Sequence, residues 1–473
     1  MQKSKGTSHL ETSRSRQNIL LGAGFAAFIF LATTSIGIWG KTAFYALMAL
    51  VAGLAVVLLS LSYERLPFYL LIVSLSVSEA LRVDLLPSTL LIIPGSLAVL
   101  SLLAAVLLRK KTIFFQSPIL LLATLLGIWA SVAVLVVGSL SESRPYWLVI
   151  LLLFLVPNFL TRAEHLLRAC WLFLLPLGAL GIYVFITRLV LYLTRQDISV
   201  ERLHLTGLQA FGDKNIIGLW ITLGIPFAYY LFEYYKDEPG KRFWLLVAGV
   251  SMLAGALATL SVGVVVGLCV MLILIVWLQP SGSARLRFLV LGICLIPLIF
   301  NGFIVQRLQN SQALNLGDEW ASNRGELWNA GVRTILDHPV FGLGLDPVRR
   351  IAFMQYIHTW FFQRWYQLGL LVSPHSIILE VGVDIGFPGI VLYILLMVSI
   401  LFSLWKLRRS PVYHEDRLLQ AYTKIFLVAL VGGWAQGLAQ NVHLDKLLWF
   451  LMGGALALFQ IAKSKTGSSE RVK

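Results

Sequence analysis

The sequence predicts an all-α, polytopic membrane protein of about 12–14 transmembrane helices with one large helical extracytoplasmic loop. Three observations predict it. Of the 473 residues, 58% are hydrophobic and only 13% charged, against about 45–50% and about 25% in soluble domains. Apolar runs of about 18 or more residues recur, each long enough to cross a hydrocarbon core of roughly 30 Å. The short alternating segments of a membrane β-barrel do not occur in the sequence.

The apolar runs lie at about 18–39, 42–62, 66–81, 88–108, 118–138, 147–160, 169–193, 216–235, 243–259, 262–278, 288–305, 386–405, 418–438 and 446–462. The chain divides accordingly. Residues 1–17 are a polar, basic tail without a small-residue cleavage site, which reads as a cytoplasmic segment before a retained first span. Residues 18–305 are the first set of spans, 306–385 the large loop, 386–462 the last spans, and 463–473 a second cytoplasmic tail.

Charge sets the expected orientation. With the N-terminus in the cytoplasm, the loops on that side collect Arg109, Lys110 and Lys111, then Arg162 and Arg168, then Lys236, Lys241 and Arg242. They also collect Arg285, Arg287, Lys406, Arg408, Arg409 and Arg417, whereas the short loops opposite hold little beyond Lys41, Arg82, Arg144 and Lys446. By the positive-inside rule the 306–385 loop is extracytoplasmic, so a periplasmic loop on a bacterial inner-membrane protein is expected. The net charge of +15 is thus an orientation signal and an attraction to anionic membrane lipids, and no nucleic-acid partner is expected. Cys170, Cys269 and Cys294 all fall within spans and read as inert thiols.

The large loop is where chemistry is expected. It holds Arg307, Arg324, Arg333, Arg349, Arg350 and Arg364, with His338, His358 and His375. Trp320, Leu327, Trp328, Val332 and Ile335 recur at helical spacing over 319–337, and His338-Pro339 stops that helix. Arg324 and Trp328 stand four apart, hence on one face. Gly342-Leu343-Gly344 reads as a turn. Residues 348–368 set seven aromatic side chains beside three arginines, which suits a helix lying in the headgroup plane. A second outer loop, 194–215, carries Arg202, His204, Asp213 and Lys214. No metal signature, phosphate loop or nucleophile elbow is present in the sequence, so no metal and no cofactor is expected.

Three strings resemble the O-antigen ligase and O-antigen polymerase family. The first runs Ser322-Asn323-Arg324-Gly325-Glu326-Leu327-Trp328 and continues through Asp337-His338-Pro339-Val340-Phe341-Gly342-Leu343-Gly344. The second is Pro374-His375-Ser376-Ile377-Ile378-Leu379-Glu380, leading through Gly382, Gly386 and Gly389, and the third is Phe211-Gly212-Asp213-Lys214-Asn215. The strings stand in family order and cover about 205–405. The resemblance implies a GT-C-like helical membrane enzyme that moves a glycan from an undecaprenyl-diphosphate carrier to an acceptor hydroxyl at the periplasmic face. It implies that Arg324 contacts the lipid-linked donor and that His375 is the base for the acceptor, on lipid A-core or a growing polysaccharide. Lys214, Asn215, Arg202 and Trp328 are expected to bind substrate beside them.

The implied chemistry is sound: arginine takes the charge of a departing diphosphate, and histidine as a residue type is a base at neutral pH. The family's arginine in a T-x-S-R-G string has no counterpart here, because Val262 occupies its place in Thr259-Leu260-Ser261-Val262-Gly263. Lys214, Arg202 or another loop arginine is the expected replacement. Taken one by one, a membrane-edge arginine is also a headgroup anchor and a loop histidine also a packing residue. Two other classes stand beside the enzyme: a transporter or channel for a small anion with arginines as its funnel, and a non-catalytic part of a polysaccharide export assembly.

Overall fold

A computed structural model describes residues 65–77, 95–103, 117–138, 140–194, 214–259, 261–279, 317–345, 352–357 and 373–470, with Val106 and Phe114. Among the described residues there is no strand. The reason is chemical: in lipid every backbone N–H and C=O must find its partner within the chain, and a helix does this locally.

The helices are α1 (Leu66–Val77), α2 (Pro118–Val137), α3 (Arg144–Phe159), α4 (Ala163–Leu193), α5 (Lys214–Tyr234), α6 (Pro239–Ala258) and α7 (Val262–Leu278). Then come α8 (Gly317–Asp337), α9 (Ile377–Arg408), the short α10 (Pro411–Glu415), α11 (Arg417–Gly437) and α12 (Lys446–Glu470). Residues 95–103 are also helical. Eight of these are long and apolar enough to cross a membrane: α2, α3 with the turn before it, α4, α5, α6, α9, α11 and α12. The chain is an all-α, multi-pass membrane protein. The expected spans at 18–39, 42–62 and 288–305 lie outside the described residues.

The turns between helices gather at two ends of the bundle. One end holds Arg162, Arg168, Lys236, Lys241, Arg242, Lys406, Arg408, Arg409 and Arg417. Arginines there lie on aromatic rings, Arg409 at 3.6 Å from the Trp405 ring centre and Arg242 at 4.2 Å from that of Phe232. At this basic end Asp416 caps α11, accepting from Leu418 N (2.9 Å) and Leu419 N (3.1 Å), and it also pairs with Lys465. The other end carries the first residues of α5, α7, α9 and α12, the last of α6 and α11, and the helix α8.

Small residues let the helices approach closely. A Cβ on Gly255 of α6 would stand 2.5 Å from Gly181 Cα of α4, so the two backbones touch where they cross. Aromatic residues fill the interior, with Phe173 between Phe227 (4.9 Å) and Phe450 (5.6 Å). Cys170 is buried, Cys269 is exposed on the bundle surface, and Cys294 lies outside the described residues.

Helix α9 is broken. Ile385 (φ −137°, ψ 17°) and Gly386 (φ 75°, ψ −175°) leave helical geometry, dividing it into a half-helix, 377–385, and a long part, 387–408. The long part alone reaches about 33 Å at 1.5 Å per residue, a full crossing. The half-helix extends upstream into the segment expected as the large loop. Its freed carbonyls are satisfied by other elements. Leu343 N donates to Val383 O (2.6 Å), Gly344 N to Asp384 O (2.9 Å) and Trp129 Nε1 to Ile385 O (2.9 Å), while Phe387 N donates to Pro339 O (2.8 Å). The Gly342-Leu343-Gly344 turn therefore serves as a cap for a broken helix. Gly342 (φ 63°) also must be glycine for space, since a Cβ there would lie 2.5 Å from Val383 O.

Helix α8 lies over this half-helix as a lid. Leu327 and Ala330 of α8, Leu343, Phe353, Met354, Ile357 and Val383 form a small core of their own. Of the helix expected over 348–368, only 352–357 is described, with a helical turn at 352–354 that joins this core.

Candidate active site

His375 stands at the entry to α9, between the lid and the bundle. Pro374 before it is buried, and a Cβ on Gly331 of α8 would stand 3.4 Å from Pro374 Cβ and 3.5 Å from Leu379 Cβ. The His375 backbone has φ 49°, the left-handed region, and it is the one such non-glycine among the described residues. That conformation costs roughly 1–2 kcal/mol in a residue with a Cβ and is characteristic of functional positions held by their surroundings. The imidazole is half-buried.

A buried arginine supports the neighbouring turn. Arg188, near the end of α4 and 6% exposed, donates from Nε to Ala258 O at 3.1 Å, at the last residue of α6. The chain then turns through Thr259 and Ser261 into α7. Ser261 Oγ donates to Asn215 Oδ1 (2.6 Å), and Gln440 Nε2 donates to Ser261 Oγ (3.4 Å). Gly263 is needed for this contact, because a Cβ there would sit 2.5 Å from Gln440 Nε2. The first turn of α5, the α6–α7 turn and the end of α11 are thus held by one polar network, and Arg188 reaches the same turn in which Val262 stands.

Beside them is a cavity of about 220 Å³ lined by Ile216, Trp220, Glu380 and residues 441–446. Asp445 is fixed as the first-turn acceptor of α12, taking Leu448 N (3.0 Å), and it also accepts from Trp220 Nε1 (2.7 Å). His443, 5% exposed, has Nε2 3.0 Å from Oδ2 of Asp384, itself 1% exposed on the half-helix of α9. The His443 backbone carbonyl accepts from Trp449 Nε1 (2.7 Å), and its ring lies 5.9 Å from that of Tyr146.

Residues 247–394 match the family model described as O-antigen ligase. That stretch is similar to the O-antigen ligases. No curated protein sequence matches the chain. The matched segment runs from within α6, through the α6–α7 turn that Arg188 of α4 reaches and the lid, to His375 and the broken α9. The similarity is to a family of O-antigen ligase/polymerase-type glycan transfer, which implies lipid-linked glycans as the substrate class.

Within this O-antigen ligase frame the sequence-derived residues fall as follows. Arg324 is on the α8 backbone in the row that continues through Trp328, Val332 and Leu336; its side chain lies outside what is described. Trp328 is 41% exposed, with Val332 at 45% and Leu336 at 70%, so the outer row of the lid is apolar. Lys214 is the first residue of α5 and Asn215 is engaged by Ser261. Arg202 lies outside the described residues. Sequence reasoning did not single out Arg188, Glu380 or Asp384. A signal existed for Arg188, since it is an ionisable residue inside the apolar run 169–193, and such residues in a membrane segment are functional by default.

Proposed function

We propose that this protein transfers a glycan from an undecaprenyl-diphosphate carrier to an acceptor hydroxyl at the outer face of a bacterial inner membrane. The observation that carries the reading is the outer row of the lid. Arg324 heads a stripe of exposed apolar side chains, Trp328, Val332 and Leu336, on one row of α8. A cation at the head of an apolar stripe matches a lipid with an anionic head and a hydrocarbon tail, entering sideways from the bilayer.

The basic end faces the cytoplasm in this reading, as the positive-inside rule requires, and the lid faces the periplasm. Arg324 and Arg188 hold the diphosphate, with Lys214 at the start of α5 beside them. Arg188 supplies at the α6–α7 turn the cation that Val262 does not. The acceptor oxygen attacks the anomeric carbon, and its proton passes to His375. The bond from that carbon to the diphosphate oxygen breaks, and the electron pair leaves with the diphosphate. One displacement inverts the anomeric centre. Fixed guanidinium groups stabilise the charge that grows on the leaving oxygen, which is the effect that dominates such transfers.

The test is reconstitution with an undecaprenyl-diphosphate glycan and candidate acceptors, in the presence of a chelator. Transfer with inverted configuration is expected, falling at least about 100-fold in His375→Ala. Arg188→Gln is expected to weaken transfer by about 10-fold or more, since a charge-assisted contact contributes about 1.5–3 kcal/mol. Val262→Arg added to Arg188→Gln should restore much of it. Transfer that ignores His375→Ala, or retention of configuration, overturns the mechanism.

A further inference from the structure

We infer that Arg65, Arg162 and Arg168, gathered where α1 meets the start of α4, bind the phosphate of an anionic phospholipid in the membrane leaflet at the basic end. The site lies away from the lid, and the inference does not depend on the glycan-transfer reading.

These three arginines differ from other cations at the same end. Lys241 pairs with Glu238 (2.6 Å) and Lys465 with Asp416, while Arg408 lies 5.4 Å from the Trp277 ring centre and Arg409 on Trp405. Arg65, Arg162 and Arg168 make no ion pair and no ring contact among the described residues. Yet all three guanidinium groups bear on one side chain, His165, which is 6% exposed in the first turn of α4. Arg65 and Arg168 also bear on the Tyr69 hydroxyl, one turn into α1. Glu164 is exposed and pairs with none of the three.

Packing holds the cluster together. The Phe68 ring of α1 stacks on Phe159 at the end of α3, with centres 4.8 Å apart. Tyr422 Oη of α11 fixes the first residue of α4 by donating to Ala163 O (3.0 Å). Like charges held at one place repel, and the start of the 31-residue α4 adds the positive end of its dipole. An anion that bridges the arginines relieves both, and the guanidinium fork fits phosphate oxygens. Arg162 and Arg168 are exposed, so the phosphate meets them at the surface, with buried His165 as packing beneath.

The surface next to Arg168 selects a lipid over free phosphate. Arg168 heads a row of α4 that continues at seven-residue spacing through Leu175 (55% exposed) and Ile182 (43%). At 1.5 Å per residue the row reaches about 21 Å, beyond the roughly 15 Å of hydrocarbon in one leaflet. An acyl chain lies along this row when the phosphate is at Arg168, whereas free phosphate leaves the row unused. Lipids of the cytoplasmic leaflet supply such anionic headgroups.

The experiment measures thermal unfolding of the full-length protein in neutral detergent while phosphatidylglycerol is titrated. A saturable rise in unfolding temperature is expected, with phosphatidylcholine of the same acyl chains and inorganic phosphate each giving less than half of it. The double variant Arg162→Gln/Arg168→Gln is expected to weaken the apparent lipid affinity at least about 10-fold. Both positions are exposed, and each single variant should weaken it by an intermediate factor if the double variant does not fold. Arg409→Gln, which removes a cation from the same end but from an aromatic ring, should stay within twofold of the parent. An equal loss in Arg409→Gln means diffuse charge attraction and overturns the site. An equal rise with phosphatidylcholine overturns headgroup recognition, and an equal rise with inorganic phosphate overturns the lipid as its source.

Discussion

At the scale of single residues, position in the fold separates roles that residue type alone leaves equal. Asp445 and Asp384 are both carboxylates near one cavity, but Asp445 is taken up by Leu448 N and Trp220 Nε1, whereas Asp384 meets an imidazole. Asp416 offers a clean energetic case at the opposite end. Burial alone would raise its carboxyl, but Lys465 and the Leu418 and Leu419 amides hold it below the ordinary carboxylate value. A lowered folded-state value means that the unfolded chain takes the proton more readily. The stabilisation is therefore complete above the unfolded value of about 3.9 and disappears as pH falls through the lowered one. Asp416→Ala should cost about 1 kcal/mol at neutral pH, the worth of a helix cap. Thermal unfolding in detergent should find the difference between parent and variant shrinking as pH falls below the ordinary carboxylate value.

At the scale of elements, the broken α9 organises the site. The half-helix carries Glu380 and Asp384, and the glycine turn at 342–344 closes the break by donating to its freed carbonyls. Gly386 is the critical position. Its φ of 75° is paired with an extended ψ, and a Cβ would meet Val340 O at 2.2 Å. Gly386→Ala should destabilise the protein by about 2 kcal/mol or more, from backbone strain and this overlap together. Gly240→Ala is the control of opposite sign: nothing lies within 4 Å of a Cβ there, and an exposed helical glycine replaced by alanine gains about 0.5–1 kcal/mol. Equal unfolding temperatures for the two variants would contradict this account of the break.

At the scale of the whole molecule, the two ends differ in charge and in content: arginine on aromatic rings at one, the lid, cavity and His375 at the other. If the charge bias sets the topology, a cysteine at Asn329 on the lid and one at Glu415 beside α11 lie on opposite sides of the membrane. In a cysteine-free background, Asn329→Cys should react with an impermeant maleimide in spheroplasts, and Glu415→Cys only after permeabilisation. The reverse pattern would invert the reading. Both positions are exposed, so reactivity reports the side and not burial.

The sequence by itself determined that this chain is a bundle of membrane helices, because hydrocarbon thickness fixes the length of an apolar run and the runs are read directly. It also placed α7 at 262–278, a loop helix over 319–337 that carries Arg324 and a turn at Gly342-Leu343-Gly344. Local spacing carries such information. Only the tertiary structure decided that Arg188 reaches the turn where Val262 stands, 70 residues beyond it at Ala258, and that His443 meets Asp384 across 58 intervening residues. These contacts depend on which faces of distant helices meet, and no periodicity within one segment encodes that. The same holds for the break in α9: Gly386 permits it, but the donors that make it stable come from α2 and from the lid turn.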